Sequence, residues 1–225
     1  MAEIKFRSDI TAELIDSMGD EQSIIRAARV STMGAKAEAK EAEGLLRFLV
    51  RERHHVPLEA CVMTFRLEVP VFVSRQLVKH RITSISEESG RYRELDPTFY
   101  IPDDSRRTKQ VGKTGNYEFV DDDFGNSYAQ DMIAFASDVA YRAYSDMLKE
   151  GIAKEVARMV LPVNVYSTMY LTVNLRSALN IISLRTGRYG SHPQHEIALV
   201  GEAIRDILID KFPVVVDEYE KGWKA

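Results

Sequence analysis

Two kinds of spacing between apolar and polar residues divide most of this chain into predicted helices and strands. Over residues 61–69 every second residue is apolar, which predicts a half-buried strand. Over residues 37–53 the leucines instead recur at helical spacing, which predicts a helix with one apolar stripe. The same reasoning predicts strands over 3–8 and 165–173, and helices over 21–30, 71–80, 127–150, 154–161, 174–185, 194–211 and 214–221.

Residues 103–126 follow neither spacing. They are polar and carry two charge clusters, Arg106-Arg107 and Asp121-Asp122-Asp123, so we expect a long solvated loop. No internal repeat or linker of low complexity divides the chain. We therefore expect an α+β fold: a mixed single domain over residues 1–225, with a small antiparallel sheet covered by several helices.

The segment over residues 74–92 combines cations, hydroxyls and an amide between apolar elements. Its polar groups include Gln76, Lys79, His80, Arg81, Ser89, Gly90 and Arg91. If residues 71–80 are helical, Gln76, Lys79 and His80 share one face. The three consecutive cations alone would fit a charged helix end that runs into a solvated loop. Together with the amide, the serine hydroxyl and the second guanidinium, they favour a local anion site.

The predicted helix over residues 174–185 is apolar on nearly all sides, which indicates burial. At about 100° per residue, Asn174 and Arg185 lie on one side, and Arg176 and Asn180 lie together near the opposite side. A buried guanidinium must be paired with protein carboxylates or with an anionic ligand. The residues alone leave both interpretations open, an internal salt-bridge network and a ligand site.

Composition restricts the class of protein. A chain of 225 residues with 45% hydrophobic residues can bury a sizeable core. The net charge of -4 argues against nucleic-acid binding through the overall charge. The lone Cys61 permits no internal disulfide and lies on the apolar face of a predicted strand, where a reactive thiolate is not expected. No apolar run reaches membrane-spanning length and the N-terminus lacks a signal-peptide core, so we expect a cytoplasmic protein with no membrane or nucleic-acid partner.

Five segments, in order, resemble the flavin-dependent thymidylate synthases. In that family an Arg-His-Arg triplet is followed after seven residues by serine. Here the triplet is Lys79-His80-Arg81, with lysine in place of the first arginine, and Ser89-Gly90-Arg91 follows after seven residues. The other four segments are Ala28 to Ser31, the His54, Val56, Pro57 and Glu59 group, Glu155 to Arg158, and the group Asn174, Arg176, Ser177, Asn180, Leu184 and Arg185.

The resemblance implies an activity, its ligands and an assembly. Members make dTMP from dUMP, with methylenetetrahydrofolate as carbon donor and NADPH as reductant through bound FAD, and they are homotetramers whose sites draw on several subunits. The implied nucleotide ligands are Gln76, Ser89, Gly90, Arg91, Arg158 and Arg185. The implied FAD ligands are Ser31, His54, Glu59, Lys79, His80, Arg81, Ile82, Glu87, Asn174, Arg176 and Asn180.

Two of the nucleotide ligands are also the catalytic candidates. Arg185 would hold the polar edge of the uracil and stabilise negative charge that spreads onto a carbonyl oxygen as hydride arrives. Ser89 is the second candidate, but the sequence places no base beside it, so we expect a ligand role. The redox chemistry would belong to the flavin, which the protein orients.

Two alternatives come from other classes of protein. A metal-dependent hydrolase would use His54, His192 and His195, but the last two flank a proline and lack the i, i+4 spacing of a helical zinc motif. We therefore expect no metal site. A nucleic-acid-binding module would use the basic loop over residues 79–93, with Tyr92 stacking on a base.

Overall fold

The computed structural model describes residues 3–36, 38, 42–113 and 116–222 of the chain, and it has the expected mixture of helices and strands. The strands are β1 (Lys5–Arg7), β2 (Thr11–Met18), β3 (Val62–Pro70), β4 (Thr83–Glu87), β5 (Thr98–Tyr100), β6 (Lys109–Lys113), β7 (Asn116–Val120) and β8 (Tyr166–Asn174). The helices are α1 (Glu21–Met33), α2 (Glu43–Arg51), α3 (Val71–Leu77), α4 (Asp123–Lys149), α5 (Lys154–Ala157), α6 (Leu175–Arg185), α7 (His195–Lys211) and α8 (Pro213–Gly222).

Contacts group the chain into two compact units, each made of several chain segments. The first unit comprises the residues up to Asp9, Val69–Ser74 and Glu87–Ser167. Its long helix α4 packs through an aromatic face against β5 and the segment that precedes β8. Edge-on and tilted ring pairs join Tyr141 to Phe99 at 6.1 Å and to Tyr144 at 5.7 Å. The buried cluster of this unit is Phe99, Tyr141, Tyr144, Ala157 and Val165.

Two short pairs of strands complete the first unit. β1 pairs with β5 in parallel, which the sequence-based expectation of an antiparallel sheet did not include. β6 and β7 form an antiparallel hairpin with Lys109 opposite Val120, so the solvated loop predicted over residues 103–126 contains regular structure that the sequence did not indicate. β6 is exposed along its whole length, and backbone hydrogen bonds rather than apolar burial define it. Such a hairpin leaves no hydrophobic period in the sequence.

The second unit comprises Ile10–Glu68, Arg75–Ser86 and the residues from Thr168 onward. It contains most of a four-stranded sheet in the order β2-β3-β8-β4, in which β2 and β3 are antiparallel. Met63, Phe65 and Leu67 on one face of β3 are fully buried, which confirms the predicted alternation. Helices α1, α2, α6, α7 and α8 belong to this unit, and α6 carries seven buried residues.

The end of α2 fixes the approach to the candidate site. The N–H of Arg53 donates to the carbonyl of Val50 at 3.1 Å, and the N–H of His54 donates to the carbonyl of Leu49 at 2.8 Å. This pair of bonds is the Schellman arrangement, which requires a left-handed residue after the helix. Arg53 takes that conformation, with φ of 59°. A short 3₁₀ helix, Val56–Ala60, follows at once and carries Glu59.

Candidate active site

A chain of side-chain hydrogen bonds in the second unit joins the basic segment to the end of α6. The Nε of Arg185 donates to Nε2 of His80 at 3.2 Å, and its Nη1 donates to Oε1 of Gln76, also at 3.2 Å. The Nε2 of Gln76 in turn donates to Oε1 of Gln194 at 2.5 Å. Three residues that the resemblance implied as ligands, Gln76, His80 and Arg185, therefore lie together.

The contact with Arg185 fixes the protonation state of His80. A guanidinium has only donors, so Nε2 of His80 must be unprotonated to accept and the ring proton lies on Nδ1. Burial, followed by the positive charge of Arg185, lowers the pKa of His80 below its usual value of 6.5. Both effects favour a neutral imidazole at this position.

The helix predicted over residues 71–80 is shorter than expected. α3 ends at Leu77, and Lys79 and His80 lie in the turn that leads to β4. The prediction that Gln76, Lys79 and His80 share one helical face is therefore wrong. Gln76 and His80 instead both accept hydrogen bonds from Arg185. Lys79, Arg81 and Ile82 are exposed around this turn. The polar loop predicted after the turn begins as strand β4, whose last residue is Glu87.

One exposed stripe interrupts the otherwise buried helix α6. Arg176, Asn180 and Leu184 follow one another at four-residue intervals on the exposed side. The expectation that Arg176 is buried is therefore wrong: 46% of its side chain is exposed, and its Nη1 pairs with Oε1 of Glu59 at 2.7 Å. Asn174 caps the helix by accepting from the N–H of Ser177 at 2.9 Å, so its amide carbonyl has a structural role.

A cavity of about 540 Å³ opens beside Asn180. His54, the implied ligand, is not among its lining residues, and its ring instead packs edge-on against Phe48 at 5.6 Å. The neighbouring His55 lines the cavity. Burial, together with the charges of Arg176, Arg53 and His54, lowers the pKa of His55. The remaining lining residues are Val50, Arg51, Arg53, Glu218, Tyr219, Lys221 and Gly222.

Of the residues that line this cavity, only Asn180 was predicted from the sequence. No sequence pattern marked the other lining residues, since the left-handed conformation of Arg53 is a backbone feature that only the structure shows. Ser31, the implied ligand near the end of α1, donates its hydroxyl to the carbonyl of Ala28 at 2.9 Å and is exposed.

The stripe on α6 and the cavity suit a cofactor such as FAD. FAD has an apolar ring system with polar edges and a pyrophosphate, and it requires apolar contact surface, amide groups and a fixed cation. The stripe offers Leu184, Asn180 and Arg176 in that order along one helix face. The chemistry of this donor set fits the cofactor.

The first unit brings together the second half of the signature and the Glu155 to Arg158 segment. Gly90 is buried, and a Cβ added there would lie 2.8 Å from Cδ1 of Leu95 and 3.3 Å from Cδ of Arg158. Any larger residue at this position would therefore displace the side chains of Leu95 and Arg158. The Nε of Arg91 pairs with Oε2 of Glu155 at 2.7 Å, and the backbone N–H of Arg91 donates to the hydroxyl of Ser89 at 3.3 Å.

Both arginines of this group are available to an anion. Arg158 is exposed, and 58% of the Arg91 side chain is exposed although it is paired. An exposed ion pair of this kind is weak, so a phosphate can displace Glu155 at small cost. Among the described residues, Ser89 has no histidine or carboxylate hydrogen-bonded to its hydroxyl, in line with a ligand role rather than a nucleophilic one.

The lone thiol lies in the interior of the second unit. Cys61 is fully buried, and its Sγ donates to the carbonyl of Asp20 at 3.4 Å. Burial, and next the negative charge of Asp20, raise the pKa of this thiol to about 11. A buried thiol with a raised pKa is a small apolar group rather than a nucleophile.

The structure also describes the residues on which the two alternative functions, a metal-dependent hydrolase and a nucleic-acid-binding module, would depend. Among the described residues, no group of three or more His, Cys, Asp or Glu side chains could hold a metal ion. Tyr92 is exposed, and the Arg91 guanidinium lies 5.7 Å from its ring centre. No helix within the described ranges is both long and apolar enough to span a bilayer.

Comparison with known proteins identifies the family. The family model described as thymidylate synthase complementing protein matches residues 13–214. The flavin-dependent thymidylate synthase of Tropheryma whipplei (strain TW08/27) is 42% identical over 96% of this chain and 94% of its own length. That of Streptomyces coelicolor is 43% identical over 88% and 86%. The chain belongs to the family of flavin-dependent thymidylate synthases.

A solved structure is similar to the whole chain. The UMP/dUMP methylase from Streptomyces cacaoi, bound with 5-Br dUMP, superposes with a TM-score of 0.91 at 40% identity, over 97% of each chain. The same methylase bound with 5-Br UMP gives a TM-score of 0.90 at 39% identity. The family assignment confirms the resemblance seen in the sequence.

Proposed function

We propose that this enzyme converts dUMP to dTMP, with methylenetetrahydrofolate as carbon donor and NADPH as reductant, through non-covalently bound FAD. The observation that carries the proposal is the meeting of Gln76 and His80 with Arg185, which follows them by more than a hundred residues in the chain. This contact joins two of the five family segments through groups that suit a uracil edge. Bound flavin supplies the hydride chemistry.

The residues of the chain bind and orient the nucleotide and polarise its uracil ring. Arg185 is held by two acceptors, so its guanidinium presents fixed donors for a uracil carbonyl and for the negative charge that develops there. Gln76 supplies an amide for the same edge. Arg91 and Arg158 supply the cations for the nucleotide phosphate, beside the tight turn at Gly90. Ser89 adds a hydroxyl and has no acid-base role.

The cofactor would lie on the second unit's exposed polar groups. Arg176, at present paired with Glu59, and Asn180 offer donors along the α6 stripe, next to the cavity lined by His55. Lys79 and Arg81 add positive charge at the turn after α3, where the neutral His80 offers its Nδ1–H as a donor. The other implied FAD ligands are Ser31, His54, Glu59, Ile82, Glu87 and Asn174.

We propose in addition a homotetramer in the cytoplasm whose sites combine residues from several subunits, with residues 1–225 acting as one domain. The single-domain proposal is supported by the interleaving of the two units, since the family match over 13–214 runs through segments of both. Sedimentation of the purified protein tests the assembly.

The test of the activity is product formation with each component omitted in turn. The purified enzyme, loaded with FAD, should convert dUMP to dTMP only when methylenetetrahydrofolate and NADPH are both present. Acid or heat should release the flavin into the supernatant. A colourless protein that does not take up added FAD, or one that makes no dTMP from the complete mixture, contradicts the proposal.

UMP is a second candidate substrate for the same site. The methylase that binds both 5-Br dUMP and 5-Br UMP is about as similar to this chain, at 40% identity, as the curated synthases are at 42–43%. Competition between equal concentrations of dUMP and UMP decides between them. Exclusive formation of dTMP supports the synthase, and methylated UMP in comparable amount supports the broader methylase.

A further inference from the structure

Gln194 stands at the N-cap of α7 but does not cap it. Its backbone has the extended conformation usual for that position, yet its side chain makes no capping hydrogen bond. Instead, Oε1 of Gln194 accepts from Nε2 of Gln76 at 2.5 Å. Glutamine is not among the side chains that cap a helix well, so its hydrogen bond with Gln76 is the contact that characterises this position.

The hydrogen bonds of Arg185 determine how both glutamine amides are oriented. Because a guanidinium only donates, the atom of Gln76 that faces Nη1 of Arg185 must be the carbonyl oxygen. The amide nitrogen of Gln76 then faces away and requires an acceptor, which Gln194 provides. With that acceptor in place, rotation of the Gln76 amide breaks two bonds rather than one, and Arg185 keeps its partner.

The backbone that carries Gln194 is anchored to the end of α6. α7 approaches α6 at Gly201, where an added Cβ would lie 2.9 Å from Cγ2 of Thr186 and 3.3 Å from the carbonyl oxygen of Arg185. The hydroxyl of Ser191 donates to the carbonyl of Ser183 at 3.3 Å. The connection from α6 to α7 is therefore attached to the helix that carries Arg185, both before Gln194 and after it.

We infer that Gln194 is a positioning residue for the nucleotide site: it locks the Gln76 amide, and through Gln76 it holds the Arg185 guanidinium in the orientation that meets a uracil carbonyl. The inference rests on the proposed function, and neither the family resemblance nor the comparisons assign a role to Gln194. It acts on the pyrimidine end of a uridine-type monophosphate and does not touch the reacting atoms.

Two variants of Gln194 separate its hydrogen bond from its bulk. Gln194→Met keeps the size and removes the acceptor, so kcat/KM for dUMP should fall between about twofold and tenfold, the range for one hydrogen bond. Gln194→Glu keeps an acceptor for Gln76, so its kcat should stay within about twofold of wild type while KM rises because a negative charge is added near an anionic substrate. Gln110→Met, on the exposed strand β6, is the matched control and should change neither constant.

A double-mutant cycle and a binding measurement complete the test. If Gln194 acts through Gln76, the effect of Gln194→Met should vanish in a Gln76→Met background. The dissociation constant of dUMP, measured by calorimetry on FAD-loaded enzyme, gives a readout that does not depend on turnover. Since Gln194 is exposed, both variants should fold as wild type.

Each outcome has one meaning. Wild-type enzyme that binds no dUMP overturns the proposed function, and the inference with it. Wild-type enzyme that binds and converts dUMP, while Gln194→Met has unchanged kcat and dUMP affinity, overturns the inference alone. The inference is also overturned if Gln194→Met lowers kcat/KM by the same factor in the wild-type and the Gln76→Met backgrounds. Gln194 would then not act through the Gln76 amide.

Discussion

Arg185 and His80 form a hydrogen bond in which a permanent cation donates to a titratable base, at 3.2 Å from Nε to Nε2. The bond exists only while the imidazole is neutral, because a protonated ring would place a second donor opposite the guanidinium. The geometry of Arg185 is therefore tied to pH through His80.

We predict that dUMP affinity falls as the pH is lowered from above 6.5 through the folded-state pKa of His80. The pKa of His80 is depressed in the folded enzyme, so the ring is neutral above pH 6.5 and accepts the hydrogen bond that orients Arg185. This hydrogen bond, with the stability it contributes, is lost as the pH falls through the folded-state pKa. Calorimetric titration with dUMP across this range measures the effect. His80→Gln, which retains an acceptor for Arg185, should show a weaker dependence on pH.

The histidine itself gives an independent check. In an NMR titration, the ring protons of His80 should shift with a midpoint below 6.5. His55, whose pKa is also lowered, should behave similarly and can be assigned through a His55→Gln variant. A His80 midpoint above 6.5 would show that the ring is stabilised as a cation, which contradicts the contact with Arg185.

A second prediction concerns Arg91 and Arg158, which we assign to the nucleotide phosphate. Replacement of either by alanine should weaken dUMP binding by about 1.5–3 kcal/mol, the usual value of a charge-assisted hydrogen bond. Stability should hardly change, since Arg91 makes only an exposed pair with Glu155. The matched control is Arg142→Ala, which removes another exposed, ion-paired arginine on α4. Variants that lose flavin but bind dUMP normally would reverse the assignment.

The accuracy of the sequence predictions followed the strength of the local pattern. β3 alternates strictly, and it was predicted to within one residue because one face of the strand is fully buried. The hairpin of β6 and β7 was missed because its pairing depends on backbone hydrogen bonds. For Arg176, apolar neighbours suggested burial. The exposed stripe on α6 depends on which sides of the helix its neighbours cover, and one helix's sequence does not contain that information.

The resemblance placed Gln76 and Arg185 in one site, but the sequence did not predict the hydrogen bond between them. Spacing placed Gln76 and His80 together correctly, but for the wrong reason, since α3 ends at Leu77 and a turn follows. Gln194 lay in a segment considered only for its histidines. Its role depends on the approach of α7 to α6 at Gly201, a tertiary contact without a sequence period.

A third prediction uses the left-handed residue at the end of α2. A non-glycine side chain in this conformation costs about 1–2 kcal/mol, so Arg53→Gly should raise the free energy of unfolding, by about 1 kcal/mol once the greater freedom of glycine in the unfolded chain is counted. The contrasting control is Arg51→Gly at the last residue of the helix, which should lower stability, by at most about 1 kcal/mol. Urea midpoints measure both. Destabilisation by Arg53→Gly would mean that the arginine side chain contributes more through its contacts than the backbone strain costs.

The last prediction concerns the lone thiol and the type of mechanism. A thymidylate synthase that attacks the uracil ring with cysteine requires an accessible thiolate. Cys61 is fully buried, its pKa is raised to about 11, and a Cβ added at Gly19 would lie 2.9 Å from its Sγ, so the site is closely packed. Cys61→Ala should therefore keep most of the turnover and the flavin content of wild type. It should lose about 1 kcal/mol of stability, since a small cavity replaces the sulfur.

Thermal unfolding and dTMP formation, measured on the same preparation, separate the two effects. Cys61→Ala enzyme that folds, binds FAD and dUMP normally and yet makes no dTMP would show that the thiol takes part in the chemistry, and that Arg185 and the flavin do not suffice to activate the ring.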